Sequence, residues 1–439
     1  MIDKIHPGFA AIDLGAEKIF VAVADAPVRS FGTFTSEIRL LGEWLQEHKV
    51  HSVAMEATGV LWINPHDFLQ AKGFKVTLFH GGHARNLPGR KTDVQDSQWH
   101  AMLHSHGLLQ PCFVPEEEIR KLRTFCRLRD DNIEIAAAHI QHMQRALDLL
   151  NVRVHTVISQ IHGASGMRMI EAILAGERNP RVLAALCDRR ILAKKEKEVL
   201  ASLEGNWQEH HLFALQQGYD AYQFYQKQVL ACDAQIEKTF EAINANKPEK
   251  KRPEGRKVKA ARHNVPLVGN LYEKLHTACG GSDLQMIPGI GTTTWMKLTA
   301  ELGTDLSHWQ SEKHFTAWAG LSPGRNQSGK RSRRPARRKT RAGQIFREAV
   351  LGIARSTDCA LGDFYRRVKG RRGAPVAIVA TARKMAEMYW RVMVKGVEYV
   401  EQGLEAYAKR IREQKERFLK KTAAQMGFVL QPITPANVA

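Results

Sequence analysis

The chain has 439 residues, 44% of them hydrophobic, and carries 65 Lys and Arg against 45 Asp and Glu, a formal net charge of +20. That length accommodates two or three domains with their own cores, and the ordinary apolar fraction excludes a disordered chain. The positive charge is clustered, which points to a polyanionic partner, nucleic acid before an anionic membrane.

Residues 9–15 read as a buried strand that ends in an acid and a glycine, and residues 19–24 as a second strand, with a third over 31–34. Ser36 is placed to cap the helix that follows, whose apolar face carries Leu40, Leu41, Trp44 and Leu45. Residues 52–56 form a short strand, a helix runs through Trp62 and Phe68, and residues 74–79 form another strand. Strands alternating with helices predict an α/β domain over residues 1–115 with a parallel or mixed sheet.

Asp13 and Glu56 both end predicted strands, where open α/β sheets place their sites. In Lys91-Thr92-Asp93-Val94-Gln95-Asp96 two carboxylates share one helical face. Like charges that close repel unless a cation or proton lies between them, and a hard divalent metal suits the need. Each acid alone reads equally as a capping or loop carboxylate. Together, Asp13, Glu56, Asp93 and Asp96 suit one or two Mg2+ ions about 3.5–4 Å apart, as in two-metal phosphoryl transfer. Arg85, Arg90 and Lys91 beside them are candidate contacts to a nucleic-acid backbone. Zinc is disfavoured: His80, His83, His100 and His104 lack a His-Glu-x-x-His context, and the six cysteines contain no Cys-x-x-Cys pair. These histidines read as helix-surface or phosphate-facing groups.

Ala11-Ile12-Asp13-Leu14-Gly15, Met55-Glu56-Ala57-Thr58-Gly59 and the Asp93/Asp96 segment resemble the acidic signature of DEDD-type transposases of the insertion-sequence-110 family, relatives of the Piv-type DNA invertases. The resemblance implies a RuvC-like, ribonuclease H fold for this domain. Actin-like sugar kinases open with a similar Asp-x-Gly strand, but the second phosphate loop and the adenosine-binding glycine pair they require are missing here.

From Pro115 to about Leu150 the pattern is continuously helical, with Glu116, Glu117 and Glu118 at the positive end of the dipole. Gly163 to Gly166 interrupts it, and further helices are predicted over about 180–200 and 208–245. Residues 116–265 are therefore a helical region, read from its residues as helices packing on neighbours and, through the resemblance, as a coiled-coil arm that pairs protomers. His139 and His142 are read as surface or nucleic-acid-facing. The charged, proline-broken run over 247–259 is a basic linker and the clearest domain boundary.

Pro288-Gly289-Ile290-Gly291 enters a helix that Gly303 can end, a turn able to offer N–H groups to a phosphate and similar to a helix-hairpin-helix unit. Ser328-Gly329 precedes Lys330, Arg331, Arg333 and Arg334, with Arg325 just upstream. A hydroxyl beside a glycine among guanidiniums suits a serine nucleophile, although such a run is commonly a phosphate-contacting loop. Residues 344–355 and 375–394 are amphipathic helices, residues 365–372 form a second basic patch, and the tail from Gly427 has no pattern. Here Pro288-Gly289-Ile290-Gly291, Ala319-Gly320-Leu321-Ser322-Pro323 and Ser328-Gly329 resemble the transposase domain of the same family, which gives a mostly helical domain over 266–405 and a C-terminal helix and tail over 406–439.

The resemblance implies an RNA-guided DNA transposase or recombinase. Ser328 would be its nucleophile, with Ser322 and Ser332 as fallbacks, and a phosphoserine intermediate would form beside Mg2+ on the four acids. Its partners would be donor and target DNA, a structured guide RNA, and further copies of the chain as a dimer or tetramer. The alternatives are a RuvC-like junction nuclease that uses water and an architectural nucleic-acid-binding protein without catalysis. No signal peptide or bilayer-spanning run is visible, so a soluble, prokaryotic, cytoplasmic and nucleoid-associated protein with no membrane partner is expected.

Overall fold

A computed structural model describes residues 8–24, 26–83, 93–251, 264–323, 326–328, 331–333, 340–356, 359–396, 412–413 and 416–429. The chain divides into two compact units, Met1–Val114 and Pro115–Ala439.

In the first unit, strands β1 (Phe9–Leu14), β2 (Lys18–Val23) and β3 (Arg29–Gly32) form an antiparallel meander. After helix α1 (Thr35–Glu47), strand β4 (Ser52–Glu56) pairs parallel to β1; after α2 (Ile63–Ala71), β5 (Lys75–Phe79) pairs parallel to β4. The sheet order is β3-β2-β1-β4-β5, and helix α3 (Asp93–Ser105) closes the unit.

Alternation along the strands sorts the two faces. Ala10, Ile12, Leu14, Ile19, Val21, Val53 and Met55 join Leu41, Trp44 and Leu45 of α1 in one core. The opposite face carries Phe9 with Ala11, Ala22 and Ala54, and the three alanines are small enough for α3 to lie close through Ala101. Several expected details change. The third strand lies two residues earlier than 31–34. Ser36 does not cap α1: Phe34 takes the N-cap position without a side-chain bond, and Glu37 reaches back to accept the Gly32 N–H at 3.2 Å. Leu40 is 48% exposed, and Ile38 takes its place in the core.

Among the described residues, the regular structure of the second unit is helical apart from one antiparallel strand pair. Helix α4 (Glu117–Leu149) packs along α8 (Glu209–Asn244). The contacts pair Arg129 with Asp233, His139 with Tyr225 and Met143 with Gly218, so the two helices run antiparallel. His139 is stacked between these helices at 5.6 Å from the Tyr225 centroid; of the two histidines read as surface groups, only His142 is exposed. Between α4 and α8 come α5 (Ala164–Leu174), α6 (Pro180–Ala185) and α7 (Arg189–Ser202), which share a core of Met169, Ile170, Ile173, Leu183, Leu203 and Leu215. The single helix expected over 180–200 is broken because Asp188 caps α7, accepting the Arg190 N–H at 2.8 Å.

Helices α9 (Leu271–Ala278), α10 (Thr292–Leu302) and α11 (Glu312–Trp318) follow, then strands β6 (Asn326–Ser328) and β7 (Arg331–Arg333), and helices α12 (Arg341–Ile353), α13 (Ala360–Arg372) and α14 (Ala374–Lys395). Trp295, Phe315, Phe346 and Tyr389 are fully buried at their centre. Arg123 ties α4 to the end of α10, donating to the carbonyls of Ala300 and Glu301, and Arg127 binds the Glu301 carboxylate through two bonds of 2.8 and 2.7 Å. Gly289 owes its place to packing: its φ is +91°, and a Cβ there would stand 2.9 Å from Met385 Cε and 3.0 Å from the Ala349 carbonyl.

Candidate functional site

The carboxylates are placed by the register of two strands and one helix. Ile12 pairs with Met55 in the parallel β1–β4 ladder, so Asp13 and Glu56 lie one step beyond, at the same end of the sheet. By alternation, Phe9, Ala11 and Asp13 share a face with Ser52, Ala54 and Glu56, the face that α3 covers.

Helix α3 is aligned by histidine. Ser52 Oγ and His104 Nε2 are hydrogen-bonded at 2.8 Å, and both residues are buried. His100 packs edge-on against Phe79, 4.8 Å between centroids. The two histidines are thus core groups that dock the helix, not surface or phosphate-facing ones. From His104 back to Asp96 is about 12 Å of helix, and from Ser52 to Glu56 is about 13 Å of strand. Fixing His104 at the start of β4 therefore brings Asp96, and Asp93 one turn earlier, level with the strand ends.

The electrostatics record that convergence. Asp13 is pushed up to about 6, first by burial and then by the charges of Glu56, Asp93 and Asp96. Asp93 is exposed and Asp96 half-buried in the first turn of α3, where the helix dipole favours negative charge. As they lie, no three His, Cys, Asp or Glu among the described residues are grouped closely enough to hold a metal ion. The donors are nonetheless all carboxylate oxygens, the chemistry a hard divalent cation takes. Arg85, Arg90 and Lys91 lie outside the described residues.

Ser328 ends β6, opposite Arg331; Gln327 pairs with Ser332 and Asn326 with Arg333. The expected loop is therefore an antiparallel ladder on both sides of Gly329-Lys330. For Ser328, Arg331 and Arg333 the description is of the backbone alone; Arg325, Lys330 and Arg334 lie outside the described residues, as do residues 252–259 of the basic linker and the tail beyond residue 429. Thr340 caps α12 by accepting the Gly343 N–H at 3.0 Å and donates to the Ala319 carbonyl at 2.9 Å, joining the start of α12 to the end of α11. Ser322 hydroxyl lies 3.5 Å from that of Thr316.

Sequence reasoning missed Gly81, which abuts Glu56: a Cβ on it would meet Glu56 Oε1 at 1.9 Å. Its only sequence signal is the pair Gly81-Gly82 just after a strand.

Two family models match the chain. A DEDD transposase model of the IS110 group covers residues 10–152, and the model described as "Transposase IS116/IS110/IS902 family" covers residues 281–361. The first match contains all four acids and the second contains Ser328. No curated protein matches the chain.

Proposed function

The chain belongs to the insertion-sequence-110 family of transposases, and on that premise we propose that it cuts and rejoins DNA with Ser328 as nucleophile and Asp13, Glu56, Asp93 and Asp96 as a Mg2+ site. The observation that carries this reading is the convergence of four carboxylates at one sheet end: burial first, and then the charges of Glu56, Asp93 and Asp96, raise the Asp13 carboxyl to about 6. Isolated surface acids do not repel one another in this way. The sheet order β3-β2-β1-β4-β5 supports reading the first unit as a RuvC-like ribonuclease H fold.

Mg2+ held by these acids, as one ion or two, supplies charge stabilisation at a scissile phosphate. The protein's own groups do the rest. Ser328 Oγ forms a bond to phosphorus as the P–O3′ bond breaks; the Oγ proton passes to solvent water, and the 3′ oxygen takes up a proton from water as it leaves. A second 3′-hydroxyl then attacks the phosphoserine and returns the serine. Arg85, Arg90, Lys91, Arg325, Lys330, Arg331, Arg333 and Arg334 neutralise backbone phosphates of donor and target DNA. The +20 charge also suits a structured guide RNA, which would carry sequence recognition in a dimer or tetramer.

The test is cleavage and joining of a labelled DNA substrate, with the nucleic acid that copurifies, in Mg2+ or EDTA. Asp13→Asn and Asp93→Asn are expected to abolish both steps while DNA binding persists. Strand transfer at the wild-type rate by either variant overturns the acidic site, and binding without cleavage or joining by the wild type favours an architectural role.

A further inference from the structure

We propose that Gly81 is a positioning residue that sets the carboxylate of Glu56, an inference that rests on reading the four acids as a metal site. Strands β4 and β5 end side by side, with Glu56 opposite Phe79, and the Ala57 N–H extends the pairing by donating to the Phe79 carbonyl at 2.8 Å. The chain leaving β5 must therefore cross over the side chain that ends β4. It does so in a 3-10 turn, Gly81–His83, with the Gly82 N–H donating to His80 Nδ1 at 3.0 Å.

Gly81 is buried. The three atoms nearest a Cβ built on it all belong to the Glu56 carboxyl group: Oε1 at 1.9 Å, Cδ at 2.5 Å and Oε2 at 3.0 Å. Its φ lies outside the left-handed region, so alanine suits the backbone and the glycine is required by the carboxylate alone. The clash falls on the end of a flexible side chain. Gly81→Ala is thus relieved by Glu56 swinging away, with the main chain left in place. A swung Glu56 leaves the strand end at which the charges of Asp93 and Asp96 also act on Asp13.

Changes to groups that orient metal ligands typically weaken binding about 10–100-fold. The experiment compares the full-length wild type, Gly81→Ala, Glu56→Ala and the double variant, reading Mn2+ affinity from the loss of the free-ion electron paramagnetic resonance signal and stability from melts in EDTA. Gly81→Ala is expected to melt like wild type in EDTA yet bind Mn2+ about 10–100-fold more weakly. The double variant is expected to match Glu56→Ala, because Gly81 acts through Glu56. Wild-type Mn2+ affinity in Gly81→Ala, or a loss that adds fully to that of Glu56→Ala, overturns the inference and leaves the metal reading standing. Should Gly81→Ala melt early, recovery in the double variant supports the contact and failure to recover overturns it. A wild type that binds no Mn2+ overturns the metal reading and the purpose assigned to Gly81 with it.

Discussion

Asp233→Ala should be among the most damaging single changes in the second unit. Arg129 and Asp233 form an ion pair in which each side chain is 2% exposed. Asp233 Oδ1 accepts from Arg129 Nε at 2.5 Å, and Oδ2 accepts from the Leu267 N–H at 3.0 Å. The guanidinium also donates to the Asn264 carbonyl at 3.1 Å, so the pair fastens the 264–267 segment to both α4 and α8. Truncating the aspartate strands a guanidinium where water does not reach, at a cost of about 3–5 kcal/mol. The orphaned Leu267 N–H adds about 1 kcal/mol. The total is a large share of the roughly 5–15 kcal/mol by which folded domains are stable. Arg129→Met combined with Asp233→Leu removes the uncompensated charge and should recover about half of the loss or more. Urea titrations followed by far-ultraviolet circular dichroism give the comparison. A loss below about 1 kcal/mol for Asp233→Ala, or a double variant less stable than the single, would show that the buried pair does not hold these helices together.

Gly343→Ala should lower stability by at least about 1–3 kcal/mol, because its Cβ would stand 2.0 Å from the Ala319 carbonyl oxygen. Gly352→Ala in the same helix, with open space around its Cβ, is the control in thermal melts, and equal melting temperatures would contradict the packing. Ser52→Ala removes the buried bond to His104 and should cost about 1–3 kcal/mol, with faster amide exchange along α3; unchanged exchange would detach α3 alignment from this bond. Asp13 gives a pH dependence. Its folded-state value near 6 lies above the ordinary 3.8, so its stabilising share is complete below about pH 4 and disappears as pH rises through 6. In EDTA, Asp13→Asn should therefore match wild type near pH 4 and exceed it by about 1–2 kcal/mol at pH 8, a figure reduced for the group's partial exposure. Parallel urea curves across that range would contradict the sign.

The alternation in residues 9–14 and 52–56 places Asp13 and Glu56 at strand ends before any coordinates are known, and the i, i+3 spacing of Asp93 and Asp96 puts both on one helical turn. The docking of α3 was harder to see. Ser97, His100, Ala101 and His104 recur at helical spacing, but their polarity makes them read as solvent-facing, and the partner that makes His104 a core residue lies 52 positions away at Ser52. Gly81 escapes for the same reason: its contact with Glu56 exists only once β4 and β5 end side by side. The hairpin at Ser328 hides under an arginine run because its pairing is made by the backbone, which side-chain charge does not report. Asp188 is a cap that sequence shows plainly, and it outweighs the apolar periodicity that runs across it.

The step that defines the proposed reaction is a covalent link between Ser328 and DNA that forms only with the four acids intact. It is tested most directly by denaturing the protein after reaction with labelled DNA and Mg2+, then locating any phosphodiester-linked peptide by mass spectrometry. An adduct on Ser328 is expected in the wild type, with its loss in Ser328→Ala and in Asp93→Asn. An adduct that survives Ser328→Ala, or strand cleavage by wild type with no adduct at any time, would contradict it and favour a nuclease that uses water.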